Sequence, residues 1–192
     1  MLQVQIGLLE KTGLTQVFLG RSVTIRDEYD KRFKNASEID VLGFGQSSFR
    51  QDYLKQFVTW SHKAKIRILL IDPEFPAKKF SIADQRDHEE GNAKGSITRD
   101  VEIFIEEVRK LEGLNHDQFR IRLARVLPTT NIFRIDSEIF FGPYFLSQQS
   151  RNAPTFLARR GGYLFQVYSD HFEGIWNSDD FSKEIDLSCL NQ

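Results

Sequence analysis

A chain of 192 residues, 40% apolar and 28% charged, has the size and composition of one globular domain with a single core. Its formal charge of −1 supplies no long-range field toward nucleic acid or an acidic membrane, and its one cysteine, Cys189, excludes an internal disulfide and a cysteine-built zinc site. With no signal-like segment and no apolar run near ~18 residues, the chain reads as soluble and cytoplasmic, with no membrane partner.

In chain order, VQIGLL and TQVFLG read as two short strands divided by Lys11-Thr12-Gly13. Asp27 to Asn35 reads as a short amphipathic helix, with Tyr29 and Phe33 four apart. IDVLGFG (39–45) is a compact apolar run ending in glycines, the pattern of a buried strand that leads into a sharp turn. Ser48-Phe49-Arg50-Gln51 has the capping-box arrangement, and Tyr53, Phe57 and Trp60 follow at helical spacing. KIRILLIDP (65–73) is a continuous apolar strand stopped by Asp72-Pro73. Strand, helix and strand on short connections make a parallel unit with a crossover helix. The expected class is therefore α/β, with a mixed, largely parallel central sheet flanked by helices.

From Pro73 to Gly95 the chain is polar and longer than an ordinary connection, and such loops are either functional or disordered. Ser96 then opens a helix with the stripe Ile97, Val101, Phe104, Val108 and Leu111, ended by Gly113. FRIRLARV (119–126) alternates, which predicts a strand with Arg120 and Arg122 on a polar face. TTNIFRID (129–136) and SEIFFG form a hairpin about Asp136-Ser137, TFLAR a further strand, and Phe165, Tyr168, Phe172 and Ile175 mark a closing helix. Residues 1–177 read as one domain, with N-terminal strands and a short helix in 1–37, a core in 38–177, and a tail from 178 to 192. Seventeen phenylalanines against one methionine predict a core of rigid aromatics.

This order of elements resembles half of a phospholipase D-type domain. In that superfamily a strand–helix–strand unit precedes a catalytic strand carrying H-x-K-x-x-x-x-D, followed by an apolar strand ending in Gly-Ser. Anchored on Asp136, the pattern places the family histidine on Thr129 and its lysine on Asn131; Gly142 matches the family glycine, while Pro143 replaces the serine. The F-x-x-x-W stretch from Phe172 to Trp176 is also similar. A narrower likeness is to bacterial phospholipase D-like domains that lack the histidine and lysine and accompany signalling or regulatory modules, through the LGFGQSS loop and the HFEGIW helix.

What the resemblance implies is a fold without its reaction. The family chemistry needs a histidine nucleophile and lysines to hold phosphate charge. A threonine at 129 has no adjacent base, and Asn131 donates hydrogen bonds without offsetting a dianion. The expectation is a pseudoenzyme with no cofactor or metal that senses a small anionic ligand such as a nucleotide and pairs as a homodimer. Gln46, Ser47 and Ser48 stand where a glycine loop meets a helix N-terminus, which favours an anion. Thr129 and Asn131 would line the former catalytic floor, Arg86 would close over it from the long loop, and Arg134 and Asp136 share the opposite strand face, where they either pair with each other or serve the ligand. Two alternatives remain open: a phosphodiesterase or nuclease using His88 or His171 with a metal, and a pure interaction module that dimerises through aromatic surface.

Overall fold

The computed structural model describes residue 7, residues 9–20 and residues 23–188, so Cys189 and most of VQIGLL lie outside the described residues. Eight strands form one sheet: β1 (Leu14–Phe18), β2 (Glu38–Gly43), β3 (Lys65–Ile71), β4 (Phe119–Ala124), β5 (Thr130–Ile135), β6 (Glu138–Pro143), β7 (Thr155–Arg159) and β8 (Ser182–Glu184). The helices are α1 (Val23–Phe33), α2 (Ser47–Ser61), α3 (Ile82–Glu90), α4 (Ser96–Arg109) and α5 (Tyr163–Trp176), with a 3-10 turn at Ser150–Asn152. Leu9 to Thr12 are helical, so the end of the first predicted strand is not extended.

The strand order is β1-β7-β6-β5-β2-β3-β4-β8. Only β2–β3 and β3–β4 are parallel, and the other pairings are antiparallel, which corrects the expectation of a largely parallel sheet. The crossover logic holds as far as β4. The next connection is too short to carry the chain back to the other edge of the sheet. Five residues reach about 16 Å, enough to cross roughly three strand spacings of ~4.8 Å along one edge, so β5 arrives beside β2 running the opposite way. From there β5, β6 and β7 follow as a meander.

Residues alternate between the two faces as a pleated strand requires. On one face α1, α2 and α4 bury Phe33, Phe49, Phe57, Trp60 and Phe104 against Ile39, Val41, Ile66, Ile68, Phe119 and Phe133. The rings interlock, with Phe57 5.0 Å from Phe119 and Phe33 4.8 Å from Trp60. The other face meets α5, whose Phe165, Phe172, Ile175 and Trp176 cover Leu42, Leu69, Ala124, Ile132 and Ile139.

Part of that second face is ionic. Arg67 reaches Asp40 through Nε at 2.7 Å and Nη2 at 2.9 Å, and Glu173 of α5 through Nη1 at 2.9 Å, beneath the rings of Phe172 and Trp176. Arg120 and Arg122 lie 5.8 Å and 6.0 Å from the same Trp176 ring. The polar face predicted for FRIRLARV is thus partly covered: Arg122 is buried, bonded to Asp179 at 2.6 Å and to Ser182 Oγ at 2.7 Å, while Arg120 stays partly exposed against Glu184. Alternation reports which face carries polarity, whereas partners decide whether an arginine there is exposed.

Three further expectations change. The polar stretch 73–95 contains α3, capped where Ser81 Oγ accepts from Asp84 N at 3.1 Å and ended by Gly91 in the left-handed region. α2 starts at Ser47 behind a left-handed Gln46 with no side-chain cap, so Ser48 does not open a capping box. The segment expected as a tail supplies β8, which pairs antiparallel with β4. Among the described residues, no helix is long and apolar enough to cross a membrane.

Candidate functional site

A cavity of about 310 Å³ opens where β2 ends and α2 begins. Its geometry comes from glycines. A Cβ on Gly43 would lie 1.9 Å from Gln46 Nε2 and 3.0 Å from the Tyr144 hydroxyl, and one on Gly45 would lie 2.6 Å from the Asp100 Cβ. At Gly45 the Asp100 Cβ leaves no room for a side chain, whereas at Gly43 one would first have to displace the Gln46 amide. Gln46 completes the turn at φ 49°, with its Nε2 3.4 Å from Leu42 O.

Three adjacent strands contribute the floor. Asn131 of β5 pairs in register with Gly142 of β6, and a Cβ on Gly142 would meet Asn131 Oδ1 at 3.3 Å and Thr155 Oγ1 of β7 at 3.6 Å. Asn131 and Thr155 thereby share the cavity with Gln46, Ser47 and Ser48. Phe44 and Tyr144 stand edge to face at 4.8 Å as an aromatic wall. Burial pushes the Tyr144 phenol up, and the Phe44 backbone hydrogen-bonds its oxygen. Asn92, from the turn between α3 and α4, and Ser96, the first residue of α4, line the rim with Asp100, Ser150 and the exposed Arg151.

Two of the expected groups therefore come together here: the 46–48 loop and Asn131. The other four site residues lie elsewhere. Arg86 does not line the cavity. It is buried behind the aromatic wall, 5.7 Å from the Phe44 ring and 5.1 Å from that of Tyr144. Its Nη1 donates to Phe145 O at 2.8 Å, and its Nη2 to Gln148 O at 2.9 Å and to Glu90 at 2.6 Å. These bonds tie α3 to the segment after β6 and leave the guanidinium no part in closing over a ligand.

Thr129 lies on the α5 side of the sheet, beside Pro143, Val167, Tyr168 and His171 in a second hollow of about 270 Å³. The expected pairing of Thr129 with Asn131 on one face fails because β5 begins at Thr130, and strict alternation ends with the strand. Arg134 pairs with Asp40 at 2.5 Å rather than with Asp136. Asp136 stands about 16 Å from Asn131, five residues along the strand at ~3.3 Å each, at the opposite end of the sheet. There its Oδ1 accepts from Ser37 N at 2.9 Å, Ser37 Oγ at 2.7 Å and Glu38 N at 2.9 Å. Partial burial works against its charge, but these donors and Arg160 outweigh it and hold the Asp136 carboxyl below its ordinary range. Asp136 is a structural pin between two strands.

Sequence reasoning missed Asp100, Asn92, Ser96 and Thr155, which approach the cavity from three other segments. Among the described residues, no group of three or more His, Cys, Asp or Glu side chains that could hold a metal gathers at His88, His171 or elsewhere.

No known family's sequence model matches the chain, and no curated protein matches it either. Among the solved structures similar in fold are two. One is TrmBL2, an archaeal chromatin protein whose structure shows a novel mode of DNA binding, at TM-score 0.50 and 14% identity over 96% of this chain and 60% of that one. The other is phosphatidylserine synthase from Haemophilus influenzae Rd KW20, at TM-score 0.50 and 13% identity over 88% of this chain and 38% of that one. This chain thus spans less than two thirds of either protein. At these identities the likeness establishes the fold alone: a mixed α/β sheet domain, consistent at that level with the phospholipase D-like expectation.

Proposed function

We propose that the chain is a ligand-binding module on a phospholipase D-like fold, without that family's phosphoryl-transfer chemistry, and that the cavity at the start of α2 is its binding site. The observation that carries this reading is the composition of the lining. Asn131, at the position of the family lysine, shares the cavity with Gln46, Ser47 and Ser48, and the described lining residues include neither histidine nor lysine. Such a lining can hold and orient a small molecule by amide and hydroxyl hydrogen bonds over an aromatic wall, and it lacks the histidine and lysine on which the family's phosphoryl transfer depends.

The charged groups refine the ligand. Arg151 is the cation of the described lining, set against Asp100, while Glu90 is already paired with Arg86 behind the wall. That balance favours a ligand that hydrogen-bonds through hydroxyl or amide groups over a nucleotide with several phosphate charges. Binding without turnover is the behaviour of a sensing or regulatory module.

The test is a thermal-shift panel of neutral polyols, amino acids, nucleoside monophosphates and orthophosphate. A neutral hydrogen-bonding compound is expected to raise the melting temperature of the parent, and Asn131→Ala should weaken it about tenfold, the equivalent of one hydrogen bond near ~1.4 kcal/mol. Stabilisation that persists unchanged in both Asn131→Ala and Ser48→Ala would move the ligand out of this cavity.

A further inference from the structure

The first turn of α2 and the first turn of α4 meet at the cavity. The first intrahelical bond of α2 runs from Arg50 N to Gln46 O at 3.0 Å, so the amides of Ser47, Ser48 and Phe49 precede it. Gln46 gives that end no side-chain cap. Left alone, these amides and the helix dipole would make an ordinary anion position. Asp100 of α4 stands beside this end. Its Cβ presses on Gly45, 2.6 Å from where a side chain there would begin, and the Ser47 side chain hydrogen-bonds its carboxyl.

We propose that Asp100 is the specificity-determining residue of this cavity: a built-in carboxylate that occupies the anion position at the start of α2, excludes phosphate and carboxylate ligands, and selects ligands that present hydroxyl or ammonium donors. This rests on the reading of the cavity as a ligand site and deepens it by naming the class. Three observations converge on it. Asp100 and Asn131 line the same cavity. Arg50, the cation nearest in sequence to the loop, is buried with its Nη1 paired to Glu107, and its charge lowers the Asp100 pKa without cancelling the effect of burial. Arg86 is held behind the wall, where it neutralises Glu90 rather than Asp100.

The experiment uses orthophosphate as the probe, titrated into the ¹⁵N-labelled parent and Asp100→Asn, with the amides of Ser47, Ser48 and Phe49 and the side chain of Asn131 as reporters. The asparagine keeps an oxygen for the Ser47 hydroxyl and removes the charge, so a merely structural role would leave the phosphate response unmoved. Asp100→Ser is the second variant, should the first fold poorly. The expected result is no saturable response in the parent and binding at least roughly tenfold tighter in the variants, from loss of one like-charge repulsion. Parent and variants responding equally would overturn the proposal.

A parallel titration of the parent with neutral polyols and primary amines separates the two readings. If those compounds bind and Asp100→Asn gains no phosphate, the cavity stands as a ligand site and the role of Asp100 falls. If the variant gains phosphate and no polyol or amine binds the parent, the charge filter stands and the ligand-binding reading falls.

Discussion

Burial raises the carboxyl pKa of Asp100 and of Asp87, and each of these aspartates touches the first turn of a helix other than its own. For Asp100, the Ser47 hydrogen bond, Arg50 and Arg99 pull the other way without cancelling the burial. The sign of the consequence is fixed. A carboxyl raised in the folded protein above its ordinary 3.8 stabilises the fold fully below that value and loses the contribution as pH rises through the raised one. Urea denaturation across pH should therefore show Asp100→Asn gaining on the parent from about pH 3.8 upward and the difference levelling off above the folded pKa. A gap that stays constant across the series would remove burial as the cause. At this scale the sequence was legible where a residue's surroundings are its own strand or turn. The 46–48 loop was read from its own turn, and Asn131 from the resemblance anchored on Asp136; both line the cavity. Asp100 was not legible, because it lies 53 residues beyond Ser47 and nothing local marks the contact.

Helix starts carry the same lesson one scale up. α4 begins behind Gly95, which has no side chain to cap it, and the cap comes from α3: the Asp87 carboxylate accepts from Ile97 N at 3.2 Å, with the Gly95 and Ser96 amides also directed at it. Asp87→Ala leaves those buried amides without an acceptor and should cost about 2 kcal/mol, a cap plus a desolvation penalty. Urea denaturation reads the loss, and faster hydrogen exchange confined to the start of α4 would assign it to the cap. The elements that could be read from sequence are those with a long apolar run or a sustained period: β3, α4, α5 and the β5–β6 hairpin. α3 was lost in a polar stretch because it buries little beyond Ala83 and the ionic Arg86 and Asp87. β8 was lost because three residues carry no period.

The whole molecule divides into two stretches of chain, one ending after β4 and one beginning at β5, with the exposed Leu127 between them. Sequence pattern gave the parallel unit of the first stretch and the hairpin of the second. It could not give their arrangement, since pairing across 58 or more residues leaves no local trace. The two stretches are interleaved. β2 of the first lies against β5 of the second, β1 of the first caps the edge at β7, and β8 of the second caps the edge at β4. A chain cleaved at Leu127 should accordingly remain a two-piece complex on size exclusion in native buffer and separate only in denaturant. Two pieces eluting apart without denaturant would show that the three seams are weaker than the core packing implies.

That interleaving also sets a schedule for synthesis. The unit from β2 to β4 can form as soon as it leaves the ribosome, but β1 has no neighbour until β7 exists, the outer edge of β2 waits for β5, and that of β4 waits for β8. Until roughly the last third of the described chain is made, the nascent sheet displays two open edges and a stray strand, the surfaces on which chaperones act and on which a second unfinished copy would pair.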